Sequence, residues 1–364
     1  MPETFSQNQS LTVLSLAIKS CRGISIKHSF LTKRGLDLDR RWMFVSGDTN
    51  KFVTIPFLRS SSFRFLDFAA ICPDLCSIFP SLDIGTKHNT NSSQITIRDI
   101  SELTLIDTSF ATSLDGTEDL VISIRNTSKK VLIPARPSEA WLEENTTLMS
   151  VDIWEYDTDG YVYSDAINSI FSDFFGKDVR LVYKGPTPRV LRGNGAPDVL
   201  GREQYTNFPD VLPVLIANEA SISELNVRLV GKGAEEIGIE RFRPNIVVEG
   251  VEAWSEDSWK TVRIVSGEAA TGITGIFGGS SGLDIDVAAR CARCQVPNVD
   301  PETAEKDQHE PWDTLVSYRR VDEGIRWKPC FGMLSVPRGE GPVSVGMKLE
   351  VLELTEDHKY IKGF

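Results

Sequence analysis

Apolar residues in the first 150 positions fall in short runs broken by turn residues: LTVLSLAI, RRWMFV, KFVTI, FRFLDFAAI, QITI, LTLI, LVISI and KKVLI. Val, Ile, Leu and Phe dominate these runs and no helical period interrupts them, so each is predicted to be a strand. Helical spacing first enters at SDAINSIFSDFFG. There Ala166, Ile167, Ile170, Phe171, Phe174 and Phe175 recur at intervals of three and four, with Ser164 as cap and Gly176 as stop. DVRLVYK follows as a strand, and the Gly- and Pro-rich residues 184–201 read as a loop or junction. The GNG within that loop does not make a phosphate loop, because Pro197 breaks the glycine spacing and no Walker lysine is present.

Beyond the junction the strand pattern resumes with LPVLIA, NIVVEG, KTVRIV, LDIDVAAR and MKLEVLEL. SISELNVRLV reads as a helix, with Ser221 and Glu224 spaced as a capping box, and EPWDTLVSYRR as a short helix starting near Pro311. The glycine-rich residues 266–282 read as an expanded hairpin loop, with a lid as the less common alternative. The expected fold class is therefore α+β, mostly β. A sheet or small-barrel domain over 11–183 precedes a second β domain with a few helices over 184–355.

A chain of 364 residues is long enough for two buried cores. The net charge of -12 lacks the basic footprint of a general nucleic-acid binder, so an anionic ligand must find a local basic pocket. The first twenty residues show neither the basic start nor the apolar run of a leader, and no segment reaches the ~20 apolar residues of a membrane span. An intracellular, most simply cytoplasmic, protein is expected, with mitochondrial association as the alternative. The four histidines are scattered and give no support to a hydrolytic triad. Asp284 and Asp286 alternate with apolar residues and read as a solvated strand face.

Six cysteines are too few for a disulfide scaffold of this length. Two of them, in AARCARCQVPNVDPET, lie three apart. If LDIDVAARCARC stays extended, Cys291 continues the row of Leu283, Ile285, Val287 and Ala289, while Cys294 faces the other way. A zinc knuckle needs a turn between its cysteines and a second pair, for which only Cys72 and Cys76 are available. The other reading makes Cys291 a core residue and Cys294 a single thiol flanked by Arg290 and Arg293, whose charges favour a thiolate. Such a ligand suits a soft or high-valent metal, and burial of both cysteines as inert residues is the plain alternative.

RCARCQVPNVDPET resembles the signature of MOSC-domain proteins. IKSCRG (18–23), LDRRW (38–42), NEASISELNVRL (218–229), RFRPNIVV (241–248), EDSW (256–259), EPWDTLVSYRR (310–320) and KPCFG (328–332) follow in that family's order. The resemblance is to members that reduce N-hydroxylated compounds, and it implies an N-terminal MOSC β-barrel followed by a MOSC domain. It also implies the molybdenum cofactor, Mo-molybdopterin, whose dithiolene holds the metal and whose pterin ends in a phosphate.

By that resemblance Cys294 ligates molybdenum. Lys19 and Ser20 supply an ammonium and a hydroxyl that can meet the phosphate, Arg40 and Arg243 match positions that contact the cofactor, and Asn245, on the same strand face as Arg243, can read a pterin edge. Asp210 and Arg293 complete the expected cofactor site. Amidoximes and hydroxylamines are the implied substrates, with cytochrome b5 and NADH-cytochrome b5 reductase as electron donors. Departures from the family stand at Val211, Leu212, Leu334 and the TIPFLRS stretch, and they bear on substrate range. A carrier of cofactor or sulfur, like the last domain of molybdenum cofactor sulfurases, is the rival reading; a zinc or interaction protein is a third.

Overall fold

The computed structural model describes residues 10–47, 92–93, 96–113, 116–154, 156–266 and 282–362. Its largest sheet has eight strands, in the order Ile24–Ile26, Leu11–Ser15, Ile246–Val248, Val214–Asn218, Cys330–Pro337, Leu283–Ala292, Trp259–Val265 and Lys348–Leu354. All neighbours run antiparallel except Val214–Asn218 beside Ile246–Val248. Strand Leu11–Ser15 thus joins a sheet built otherwise from residues beyond 184, apart from its edge neighbour Ile24–Ile26. Its alternating burial puts Leu11 and Val13 into a core with Ile216, Ile246, Val262, Ile285 and Met333.

A second sheet of five strands runs Trp42–Ser46, Val179–Lys184, Asp157–Tyr163, Thr146–Asp152 and Ser92–Ser93. Helix Asp165–Phe175 packs its apolar stripe on this sheet, with Phe171 fully buried against Phe44 at a centroid distance of 5.0 Å. The helix stops where Gly176 takes the left-handed conformation at φ 61°. A three-stranded meander, Ile106–Thr112, Glu118–Ile124 and Lys130–Pro134, closes the same core through Ile106, Leu120, Ile122 and Ile133. The molecule is α+β and mostly β, as the pattern predicts.

Several elements differ from the sequence reading. LTLI is not a strand: Ser101–Leu105 forms a 3-10 turn, in which the Thr104 hydroxyl donates to the Ser101 carbonyl at 2.9 Å, and the strand begins only at Ile106. The end of QITI is a turn closed by Asp99, which accepts from the Thr96 nitrogen and hydroxyl at 2.9 Å each. A helix does interrupt the first 150 residues, at Glu139–Asn145, with Ser138 as its cap. Helix Glu219–Gly231 starts earlier than expected and is capped by Asn218 rather than Ser221, whose hydroxyl instead donates to buried Glu256 at 2.7 Å. KFVTI, FRFLDFAAI, Cys72, Cys76 and most of the 266–282 insertion lie outside the described residues.

Candidate functional site

Three segments distant in sequence meet beside the eight-stranded sheet. Residues 16–22 continue strand Leu11–Ser15, and Lys19 N donates to the Trp42 carbonyl at 2.8 Å. Arg40 N donates back to the Leu16 carbonyl at 2.8 Å, and Phe208 N donates to the Arg40 carbonyl at 3.0 Å. Three non-glycine residues here, Ser20, Leu38 and Arg40, take positive φ of 69°, 61° and 45°, and Arg243 nearby takes 60°. Each such residue costs on the order of 1–3 kcal/mol, so a cluster of four persists only where the surroundings enforce it.

These segments and the end of strand Leu283–Ala292 enclose a cavity of about 220 Å³. Its lining includes Lys19, Ser20, Arg40, Asp210, Arg243, Asn245, Arg293 and Cys294, the whole set expected from the sequence. Two further groups that the sequence reading did not single out, Tyr360 and Lys328, share the wall.

The basic residues differ in what holds them. Lys19 is buried and pairs with Asp210, while also donating to the Phe208 carbonyl at 2.8 Å. Burial pushes its ammonium down to about 8 against the pull of Asp210, and Arg189 and Arg40 push it further. Burial would raise the Asp210 carboxyl, but the Lys19 ammonium and the Trp154 indole N–H at 2.9 Å hold it well below the usual carboxylate range. Arg40 donates to Asp39 at 2.6 Å, to Asn245 Oδ1 at 3.1 Å and to the Arg243 carbonyl at 3.2 Å. Arg243 stands apart. Its Nη2 is buried with no hydrogen-bond partner among the described residues, and burial, with Arg40 adding to it, pushes the guanidinium down to about 10.

Asn245 is fully buried and its amide is used internally. It accepts from Arg40 and from the Leu215 nitrogen at 3.1 Å each, and donates to Asp39 at 3.0 Å. It does not share a strand face with Arg243, because Arg243 ends a 3-10 turn in the left-handed conformation before strand Ile246–Val248 begins. Asn245 therefore orients Arg40. Arg293 likewise turns inward: it donates to the Phe331 carbonyl through two nitrogens, at 2.9 and 2.7 Å, and to the Phe242 carbonyl at 2.9 Å. It thereby ties together the stacked Phe242–Phe331 pair, 3.8 Å apart, behind the cavity wall.

The two cysteines keep to opposite faces only in part. Burial alternates through Ile285, Val287 and Ala289, but the register slips between Val287 and Ala289 and again between Arg290 and Ala292. These irregularities re-aim the end of the strand, so Cys291 lines the cavity together with Cys294 instead of facing only the core. Cys291 also packs against the cluster of Leu191, Leu212, Leu215, Ala289 and Leu334, and burial pushes its thiol up. Burial raises Cys21 and Cys330 too. Arg290, expected beside the Cys294 thiol, donates to the carbonyls of His358 at 2.9 Å and Asp257 at 3.2 Å. Among the described residues no three His, Cys, Asp or Glu side chains gather as a metal cage.

Comparisons with known proteins place the chain in a family. The family description "MOSC domain" matches residues 203–350, and "MOSC N-terminal beta barrel domain" matches residues 10–58. The chain is a MOSC-domain protein. The matched MOSC domain carries Asp210, Arg243, Asn245, Cys291, Arg293 and Cys294, and the matched N-terminal domain carries Lys19, Ser20 and Arg40.

Among its relatives, mitochondrial amidoxime-reducing component 1 of Danio rerio is 30% identical over 56% of this chain and 57% of its own length. The human protein of the same name is 32% identical over 46% of this chain and 45% of its own length. Molybdenum cofactor sulfurase of Oryza sativa subsp. japonica is 28% identical over 93% of this chain but only 34% of its own length. The chain thus matches about half the length of the amidoxime-reducing relatives. No helix among the described residues is long and apolar enough to cross a membrane.

Proposed function

We propose that this MOSC protein is a molybdenum-cofactor-dependent reductase of N-hydroxylated small molecules, working on amidoximes and hydroxylamines. The observation that carries the reading is the buried Nη2 of Arg243, unpartnered among the described residues in a cavity that also holds Lys19, Arg40 and two thiols. A buried guanidinium without a partner is costly unless an anion completes it, and a terminal phosphate is such an anion. In this reading Arg243, with Arg40, Ser20 and Lys19, would hold the phosphate, and Cys294 would ligate the metal. Asp210 fixes Lys19, Asn245 fixes Arg40, and Arg293 braces the wall that carries Cys294. When bound, the cofactor would supply two electrons and an acceptor for the substrate oxygen.

The protein's own work is to bind, orient and exclude. Burial pushes the Cys21, Cys291 and Cys330 thiols up, and in this reading Cys294 is the cavity thiol that would hold the metal. The relatives named amidoxime-reducing components support the substrate class. An electron donor of the cytochrome b5 type, fed by an NADH-dependent reductase, fits that class. A border near 184 between the barrel-type domain and the MOSC domain belongs to the same reading, with strands Leu11–Ser15 and Ile24–Ile26 crossing it into the later sheet. Benzamidoxime and a chemical electron donor test the reading: protein from a cofactor-competent host yields benzamidine, and cofactor-loaded protein that yields none refutes it.

A carrier is the second reading, favoured by the sulfurase relative that aligns with 93% of the chain. It predicts a persulfide on Cys294 after incubation with a sulfurase, together with no turnover of benzamidoxime.

A further inference from the structure

After strand Lys348–Leu354 the chain turns back, and residues 355–361 run without regular structure, beyond the 203–350 of the MOSC match. They are nevertheless pinned along their length. Thr355 N donates to the Ser258 carbonyl at 2.7 Å, and buried His358 sits 2.7 Å from the Trp259 carbonyl through Nε2. Arg290 donates to the His358 carbonyl at 2.9 Å. Asn194 clasps the end of the segment, donating to the Lys359 carbonyl at 2.8 Å and accepting from Ile361 N at 2.7 Å. Tyr360 N donates at 2.9 Å to Asp322, a buried carboxylate that also accepts from Gly324 N at 2.8 Å. Gly324 itself packs on the Tyr360 backbone: a Cβ there would overlap the Tyr360 carbonyl oxygen and stand 2.7 Å from its nitrogen.

Irregular backbone satisfied by buried side chains at this many points is placed, not loose. What it places is Tyr360, in the cavity wall with Cys291, Cys294, Ile325 and Lys328. The Tyr360 hydroxyl has no hydrogen-bond partner among the described residues. Burial pushes the phenol up, with Cys291 and Asp322 adding to it, so at neutral pH it is an uncharged O–H donor.

We propose that Tyr360 is a substrate-contacting residue, donating a hydrogen bond to the hydroxyl oxygen of the N-hydroxylated substrate, and that residues 355–361 are the strap that holds it there. The proposal rests on the reductase reading and adds to it a recognition group outside the matched domain. Its test uses cofactor-loaded wild type, Tyr360→Phe and Gly324→Ala, with molybdenum content, benzamidoxime affinity by calorimetry, and KM and kcat with a chemical donor. Tyr360→Phe removes only the hydroxyl. It is expected to weaken Kd and KM about three- to tenfold, the size of one neutral hydrogen bond, with kcat and molybdenum content near wild type. Gly324→Ala leaves the phenol intact but shifts its backbone, and is expected to move KM in the same direction.

Wild type that turns over while Tyr360→Phe keeps its Kd and KM overturns the role of Tyr360 alone. Loss of molybdenum in Tyr360→Phe also overturns it, by placing the residue with the cofactor. Wild type that neither binds nor reduces benzamidoxime overturns the reductase reading and this proposal together.

Discussion

Cys291 and Cys294 share one cavity wall but not one environment. Cys291 leans on Leu212, Leu215 and Leu334 and is kept protonated by burial. Cys294→Ser exchanges a soft ligand for a hard, protonated one, and is expected to lose molybdenum and turnover while keeping the wild-type melting temperature. Cys291→Ser places a hydroxyl against apolar neighbours at a cost of about 1–3 kcal/mol where it finds no partner, so it should melt earlier yet keep the metal. Metal content and thermal melts of the two variants decide the matter, and a folded Cys291→Ser protein without molybdenum would reverse the assignment. At this scale the sequence named the eight cavity residues through their resemblance to a family. What it could not show is how each is used, because the carbonyls taken by Arg293 and the amide contacts of Asn245 come from residues 30 to more than 200 positions away.

Strand Cys330–Pro337, buried along its whole length, is the element against which the cysteine-bearing strand is registered. It approaches strand Val214–Asn218 so closely at Gly332 that a Cβ there would stand 2.8 Å from the Ile216 carbonyl, and φ is 72°. Gly332→Ala is therefore expected to destabilise by about 1–3 kcal/mol, read as a lower midpoint in urea; an unchanged midpoint would remove this contact from the account. Strands and helices with long, regular periods were legible in the sequence, among them Leu283–Ala292, Trp259–Val265 and Asp165–Phe175. Short elements were not. Glu139–Asn145 spans only about two turns, with a single buried residue, Leu142, and so leaves no period to read. The slips that bring Cys291 into the cavity are invisible to a strict two-residue alternation, since one extra residue in a ladder leaves no mark on composition.

Across the whole molecule, a net charge of -12 coexists with a cavity whose lining includes Lys19, Arg40, Arg98, Arg241, Arg243 and Arg293. Concentrating cations around one cavity while the chain as a whole is acidic makes that cavity the natural seat of an anion. The β-rich class and the two matched domains follow from periodicity and motif order. That strand Leu11–Ser15 crosses into the sheet of the later residues, and so carries Lys19 and Ser20 to the cavity, emerges only from the strand pairing. In the proposed reading this cavity holds a molybdenum cofactor through one thiolate and an arginine-lined phosphate seat. Elemental analysis of protein purified from a cofactor-competent host tests it most directly. About one molybdenum per chain with little zinc is the result expected from a single-thiolate site, and stoichiometric zinc without molybdenum would contradict it.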